Sequence, residues 1–245
     1  MTGEITLTGI VLLAAPANEY DKRLVLLTKE RGKITVFAKG AKRAKSQFLA
    51  GTRPFAFGEF TLYEGKSAYN LVSLKITNYF EEVTNDMRAV YYGFYFLEFA
   101  EYFGMENYGA KNELLLLYQA LRALESESLD NRLVRRIFEL KMLTFHGEYP
   151  NVFECMKCHG KEHLAAYSQS LSGLVCEKCA GMDEISLETS TIYTMQYIIT
   201  TPVGKLFNFR VTDPVLRELE MVMNRFLAEH VEKQFHSLEL LKNFL

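Results

Sequence analysis

No stretch of this chain approaches the roughly 18 uncharged apolar residues that a membrane-spanning helix needs. The amino terminus, Met1-Thr2-Gly3-Glu4, lacks the basic region and long apolar core of a secretory signal. Internal repeats and low-complexity segments are absent. Histidine is scarce, with five in the chain, and none falls in a pattern that pairs a nucleophile with a base and an orienting group. Cysteine is scarcer still, with four in 245 residues. A soluble, cytoplasmic, non-membrane protein without an evident catalytic motif is the expectation.

What is present is ordinary globular composition, 49% hydrophobic and 24% charged. A length of 245 residues favours two domains with a small metal module. The net charge of −2 conceals an asymmetry. Residues 1–80 hold 12 Lys and Arg against 6 Asp and Glu, whereas residues 81–245 hold 16 against 24. A basic first third on an acidic body points to an anionic partner at the amino-terminal end.

All four cysteines lie in two knuckles, Cys155-Met156-Lys157-Cys158 and Cys176-Glu177-Lys178-Cys179, separated by 17 residues. Each knuckle brings two thiolates together, and a short hairpin between the knuckles completes a tetrahedron of sulfur. That set suits one structural Zn²⁺, with Zn–S near ~2.3 Å and no open position for chemistry. Two disulfides would suit a secreted protein, which nothing here marks. A redox dithiol needs one such pair, not two. The run from Cys155 to His159 also spells a c-type haem attachment sequence, but then the second knuckle has no purpose. His159 and His163 are alternative ligands, made unnecessary by a complete set of four cysteines.

Residues 4–79 read as five short strands, at about 4–13, 23–28, 33–39, 55–63 and 69–77, with period-2 alternation and turns at 18–21 and 29–32. The apolar parity changes between Phe57 and Phe60, which places a β-bulge near Gly58. Five strands in so short a span fit a small closed barrel. An OB-fold is the leading candidate, though an SH3-like barrel has much the same pattern. The loop at 39–53 is its most informative part. Lys39, Lys42, Arg43 and Lys45 alternate with small Gly40, Ala41 and Ala44, so long cationic side chains can fan along a phosphate track. Arg53, Lys22, Arg23 and Lys33 could widen the patch, together with Lys29 and Arg31. Phe37, Phe55, Phe57 and Tyr63 are candidate platforms for unpaired bases, set against the general tendency of Phe to be core.

From residue 85 the texture becomes helical. Residues 90–103 are aromatic and apolar nearly all round, as a buried central helix requires. Further helices are expected at 114–124, from an Asp130 cap to about 145, at 187–200, at 213–230 with Asp213 as cap and Pro214 first in the helix, and at 238–244. Arg132, Arg135 and Arg136 fall at i, i+3 and i+4 and so share one expected exposed face, able to grip an acidic peptide. The fold class is therefore α+β and multidomain: a barrel at 1–80, then an all-α bundle at 81–245 carrying a Cys₄ module at about 153–181.

Several stretches together resemble the RecO family of bacterial recombination mediators. They are Gly9-Ile10-Val11-Leu12, Leu27-Thr28-Lys29-Glu30-Arg31-Gly32-Lys33, the basic run from Ala38 to Ser46, Pro54-Phe55, Phe138-Glu139-Leu140-Lys141-Met142-Leu143 followed by Gly147 and Pro150, and Phe235-His236-Ser237-Leu238-Glu239-Leu240-Leu241. The resemblance covers nearly the whole chain. It implies a non-enzymatic, nucleoid-associated bacterial protein that binds single- and double-stranded DNA through an OB-fold and anneals complementary strands. It further implies engagement of the acidic tail of the single-strand-binding protein, and pairing with RecR to help load RecA. DNA binding is implied for Lys39, Lys42, Arg43 and Lys45, and tail binding for Arg132, Arg135 and Arg136. The chain departs from the family at His146 and Glu148, and the zinc expectation rests on its own cysteines. The competing expectations are a zinc-containing interaction scaffold that does not touch DNA, and a zinc-dependent nuclease or deaminase, which would need an open metal position.

Overall fold

The computed structural model describes residues 3–65, 68–126 and 128–241. They form two compact units, one of Met1–Glu125 with Phe235–Leu245 and one of Ser126–Gln234.

The first unit is built on a closed barrel of β1 (Glu4–Pro16), β2 (Lys22–Thr28), β3 (Gly32–Ala38), β4 (Phe57–Glu64) and β5 (Tyr69–Asn78), in the order β1-β2-β3-β5-β4. Every neighbouring pair is antiparallel except β3 with β5, which run parallel through Val36–Tyr69 and Phe37–Asn70. That order is the OB-fold. Alternation sends Leu7, Val11, Leu24, Leu26, Ile34, Val36, Phe60, Leu62 and Leu71 into one interior cluster. The expected bulge is present, as a register shift between Phe57 and Gly58. Glycine is required there because a Cβ at Gly58 would lie 2.2 Å from the Lys75 carbonyl oxygen across the ladder. The uniformly apolar run in β1 has a similar cause. A second shift between Val11 and Leu13 breaks the alternation, and Ile10, Val11 and Leu12 are all buried.

The strands stop at Asn78, but the compact unit continues through α1 (Glu81–Asn85), α2 (Met87–Phe103) and α3 (Lys111–Leu124). The Asp86 carboxylate caps α2 by accepting from the Ala89 amide at 2.6 Å. As its composition requires, α2 is buried on most sides, against α1, α3, β1 and β2, and against α7 (His236–Leu241), which rejoins this unit late in the sequence. Phe235, just before α7, sits 5.2 Å from the Tyr95 ring and 5.4 Å from Phe99. The expected extension of this last helix to Phe244 lies outside the described residues.

The turn between β2 and β3 docks on the loop after α2. Lys33 donates its amide to the Met105 carbonyl at 3.0 Å and its Nζ to the Glu101 carbonyl at 2.8 Å. Gly32 makes this approach possible at φ +64, where a Cβ would meet the Tyr108 and Met105 oxygens at 2.2 and 2.3 Å.

The second unit holds α4 (Asn131–His146), α5 (Thr189–Thr200), α6 (Asp213–His230) and a small sheet of β6 (Leu164–Ser168), β7 (Gly173–Cys176) and β8 (Ile185–Ser186) in the order β7-β6-β8. Asp130 caps α4, and left-handed Gly147 closes it. Asp213 is the first residue of α6 rather than its cap, which is Thr212; α5 starts at Thr189 because Glu188 is extended.

One sequence expectation fails here. Arg132, Arg135 and Arg136 do not share an exposed face, because Arg136 is only 2% exposed. Glu139 lies four residues after Arg135 and three after Arg136, so both guanidinium groups fold onto its fully buried carboxylate, at 2.7 and 2.8 Å. Arg136 also donates to the Asn224 side chain of α6 at 2.8 Å.

Two substitutions test this architecture in urea unfolding. Glu139→Ala strands the buried Arg136 charge and is expected to cost about 3–5 kcal/mol; a loss under about 1 kcal/mol would mean that the pair is not buried. Gly32→Ala combines a left-handed backbone with a backbone clash and is expected to cost about 2 kcal/mol or more, whereas a neutral result would show that the turn does not dock.

Candidate metal centre and nucleic-acid interface

The two knuckles meet through the small sheet. Cys155 closes the first by donating its amide to the Gly160 carbonyl at 2.8 Å, and the amides of Cys179 and Ala180 close the second on the Cys176 carbonyl at 2.9 Å. His159 takes φ 60 in the first turn, a left-handed conformation that His adopts more readily than most residues. The Met156 amide donates to Leu174 of β7, the strand that ends at Cys176, and so fixes one knuckle against the other. Lys157 adds a clamp, from its Nζ to the Cys179 carbonyl at 3.0 Å and to Glu184 at 2.6 Å.

All four cysteines are free thiols, and their sulfurs lie within 4.8 Å of one another. The Cys158 and Cys176 sulfurs are 3.8 Å apart, close to the ~3.8 Å edge of a tetrahedron with ~2.3 Å metal–sulfur bonds. Burial raises the Cys155 thiol pKa, but backbone N–H groups of Cys176, Cys158 and Lys157 outweigh it and bring it down to about 6. Hydrogen bonds shared with Cys176 and Cys158 push Cys179 up to about 12. The Cys155 thiolate thus forms readily while Cys179 resists losing its proton, and a divalent cation is the group that lets a four-cysteine set ionise together. The four residues could hold one metal ion, and the donor set fits zinc. Neither His159 nor His163 belongs to the cluster; His159 points instead toward Glu154, 3.5 Å away.

On the barrel, Lys39, Lys42, Arg43, Lys45, Arg53 and Arg23 are exposed. The basic segment is held at its root. The Asp21 carboxylate accepts from the Gly40 amide at 2.7 Å, the Lys42 amide donates to the Tyr20 carbonyl at 2.9 Å, and the Arg43 guanidinium lies over the Tyr20 ring at 5.1 Å. The Gly40 amide, then Asn18, lowers the Asp21 pKa. Lys22 and Lys33 differ from the rest. Lys22 donates to the carbonyl and hydroxyl of Thr52 at 3.1 and 3.0 Å, and burial, then Arg53, lowers its pKa. Lys33 is spent on the Glu101 carbonyl. Both tie loops to the barrel, which their charge alone did not reveal.

The aromatics divide in the same way. Phe55 is buried, at φ 73, against Phe94, and Phe57 packs on Tyr118 with ring centroids 4.8 Å apart. Neither offers a face to a base. Phe37 and Tyr63 are exposed. Of the three arginines on α4, Arg132 is the most exposed at 37%, and it is engaged by Asp130 at 2.7 Å.

Two family models match the chain: "Recombination protein O N terminal" over residues 1–80 and "Recombination protein O C terminal" over residues 84–239. The chain belongs to the RecO family. It is 31% identical over 238 residues to the DNA repair protein RecO of Acetivibrio thermocellus, covering 96% of this chain and 95% of that protein. It is 29% identical over 238 residues to the RecO of Alkaliphilus metalliredigens, covering 96% and 97%. Family membership makes this a DNA repair protein, and the chain carries an OB-fold with a candidate metal centre in a separate compact unit. No helix among the described residues is long and apolar enough to cross a membrane.

Cys176→Ser removes one buried ligand. It is expected to abolish stoichiometric metal in the purified protein and to cost ~4 kcal/mol or more of stability. Elemental analysis with thermal melting checks both; a metal-free wild type as stable as the variant would contradict the metal centre.

Proposed function

We propose that this RecO protein is a non-enzymatic mediator of DNA repair that binds single- and double-stranded DNA at the basic end of its barrel. There it anneals complementary strands and, with RecR, helps load RecA onto strands coated by the single-strand-binding protein. The observation that carries the reading is the exposure of Lys39, Lys42, Arg43, Lys45 and Arg53 in one anchored segment beside Arg23. Cationic side chains fixed at one end of a rigid barrel lower the repulsion between two phosphate backbones, so a second strand can approach one already held. Phosphate contacts carry no sequence information, which suits a protein acting wherever strands are exposed.

In the same reading the four cysteines hold one structural Zn²⁺ that shapes the second unit and takes no part in chemistry. The acidic tail of the single-strand-binding protein meets the α4 surface around Arg132, with Arg135 and Arg136 acting mainly through their shared hold on Glu139. The protein works in the bacterial cytoplasm, associated with the nucleoid.

Annealing of two labelled complementary strands tests the central step. Wild type should accelerate duplex formation, and replacing Lys39, Lys42, Arg43 and Lys45 together by Ala should remove most of the acceleration. An unimpaired variant would eliminate the basic segment as the annealing surface. Metal-dependent cleavage or base conversion of the labelled strand by pure protein would overturn the non-enzymatic reading.

A further inference from the structure

Barrel closure brings together residues that are far apart in sequence. Arg23 of β2 pairs with Phe37 of β3, Phe37 with Asn70 of β5, Asn70 with Tyr63 of β4, and Tyr63 with Glu4 of β1. Residues paired across a ladder project to the same side, so these side chains form one row running across the strands. Even-numbered neighbours such as Leu24, Val36 and Leu62 point into the core, so the row faces outward. Phe37 is 37% and Tyr63 is 43% exposed, with Asn70 half-buried between them.

The rest of this outer surface is not equally open. On β2 the outward positions after Arg23 are Val25 and Leu27, 6% and 0% exposed, in a strand that α2 and α3 both contact. The accessible part of β2 is therefore its Arg23 end. Lys39 follows Phe37 at the same strand parity, and the anchored cationic segment starts there. Two aromatic rings two ladder steps apart, about 10 Å, thus lie beside a row of positive charge at one end and the Glu4 carboxylate at the other.

We propose that Phe37 and Tyr63 are stacking platforms for two bases of an unpaired DNA strand that crosses β3, β5 and β4, with Asn70 between them able to hydrogen-bond a base edge and Arg23 and Lys39 on the phosphates. A duplex keeps its bases stacked inside and cannot use the rings, so this row distinguishes single strands from duplex. The basic segment alone would bind both. The inference rests on the barrel being the DNA-binding element and adds the kind of strand it selects.

The test compares three labelled probes of equal length: an oligo-dT strand, a strand of abasic sites with the same phosphates, and a duplex. Wild type is expected to bind oligo-dT more tightly than the abasic strand. Phe37→Leu and Tyr63→Leu, which keep apolar bulk at exposed positions, should each weaken oligo-dT binding about tenfold. Abasic-strand and duplex affinity should not change, and Phe37→Tyr should restore the wild-type value. Equal affinity of wild type for oligo-dT and abasic strands, or equal weakening on all three probes, would overturn the stacking row while leaving phosphate binding in place. Failure of wild type to bind any probe would overturn the DNA-binding reading and this inference with it.

Discussion

Two residue pairs, Val36 with Tyr69 and Phe37 with Asn70, close the barrel. They are the one parallel pairing in an otherwise antiparallel meander, and no short hairpin can supply them. The chain must return from β4 through β5, so the loop-closure entropy of the 39–56 segment opposes the pairing. Several bonds offset that cost by fixing the segment at both ends, among them Asp21 to the Gly40 amide and Lys22 to Thr52. Because Asp21 titrates below its ordinary value in the folded state, its contribution is complete above the usual aspartate range and is lost as pH falls through the lowered value. Without closure β3 would be an open edge. Its outward residues would not line up with those of β5 and β4, and the cationic segment would hang free instead of standing beside them.

The second unit solves a different problem. A sheet of three short strands has too little apolar surface to organise itself, and its core cluster consists of Cys155, Ala166, Val175 and Cys176 with a few partly buried neighbours. A metal ion held by the four cysteines, as proposed above, would turn that deficit into a rigid module, because four thiolates cannot share so small a volume without a cation. Beneath α4 the Glu139 carboxylate performs a comparable service, holding two guanidinium groups that would otherwise be exposed or stranded. Around Glu139 a concentrated charge is buried because partners of opposite sign are built in.

Much of this was legible in the sequence, and the reason is locality. Period-2 alternation marked all five strands, the parity change at Phe57 marked a real register shift, and cysteine spacing marked the four-sulfur cluster. What failed needed knowledge of the far side of an element. Spacing places Arg132, Arg135 and Arg136 on one helix face, but only packing against α6 shows that Arg136 is covered. Strand parity cannot separate Phe55 and Phe57, which pack against α2 and α3, from Phe37 and Tyr63, which stay exposed. The change of texture near residue 80 marks the end of the barrel, while the compact unit runs on to Glu125 and recovers α7. The row from Arg23 to Tyr63 was invisible for the same reason, since it crosses a parallel pairing that no local pattern encodes.

The central claim is the proposed hold on DNA, by its phosphates, at the basic end of this barrel. The most direct measurement is the affinity for a labelled single strand across a range of salt concentrations, for wild type and for the variant lacking the four cations from Lys39 to Lys45. The account predicts that log affinity falls steeply with log salt in wild type. It predicts that the variant is weaker, with a slope shallower by about 0.7 for each phosphate it no longer neutralises. Binding that is insensitive to salt, or identical slopes in the two proteins, would contradict it.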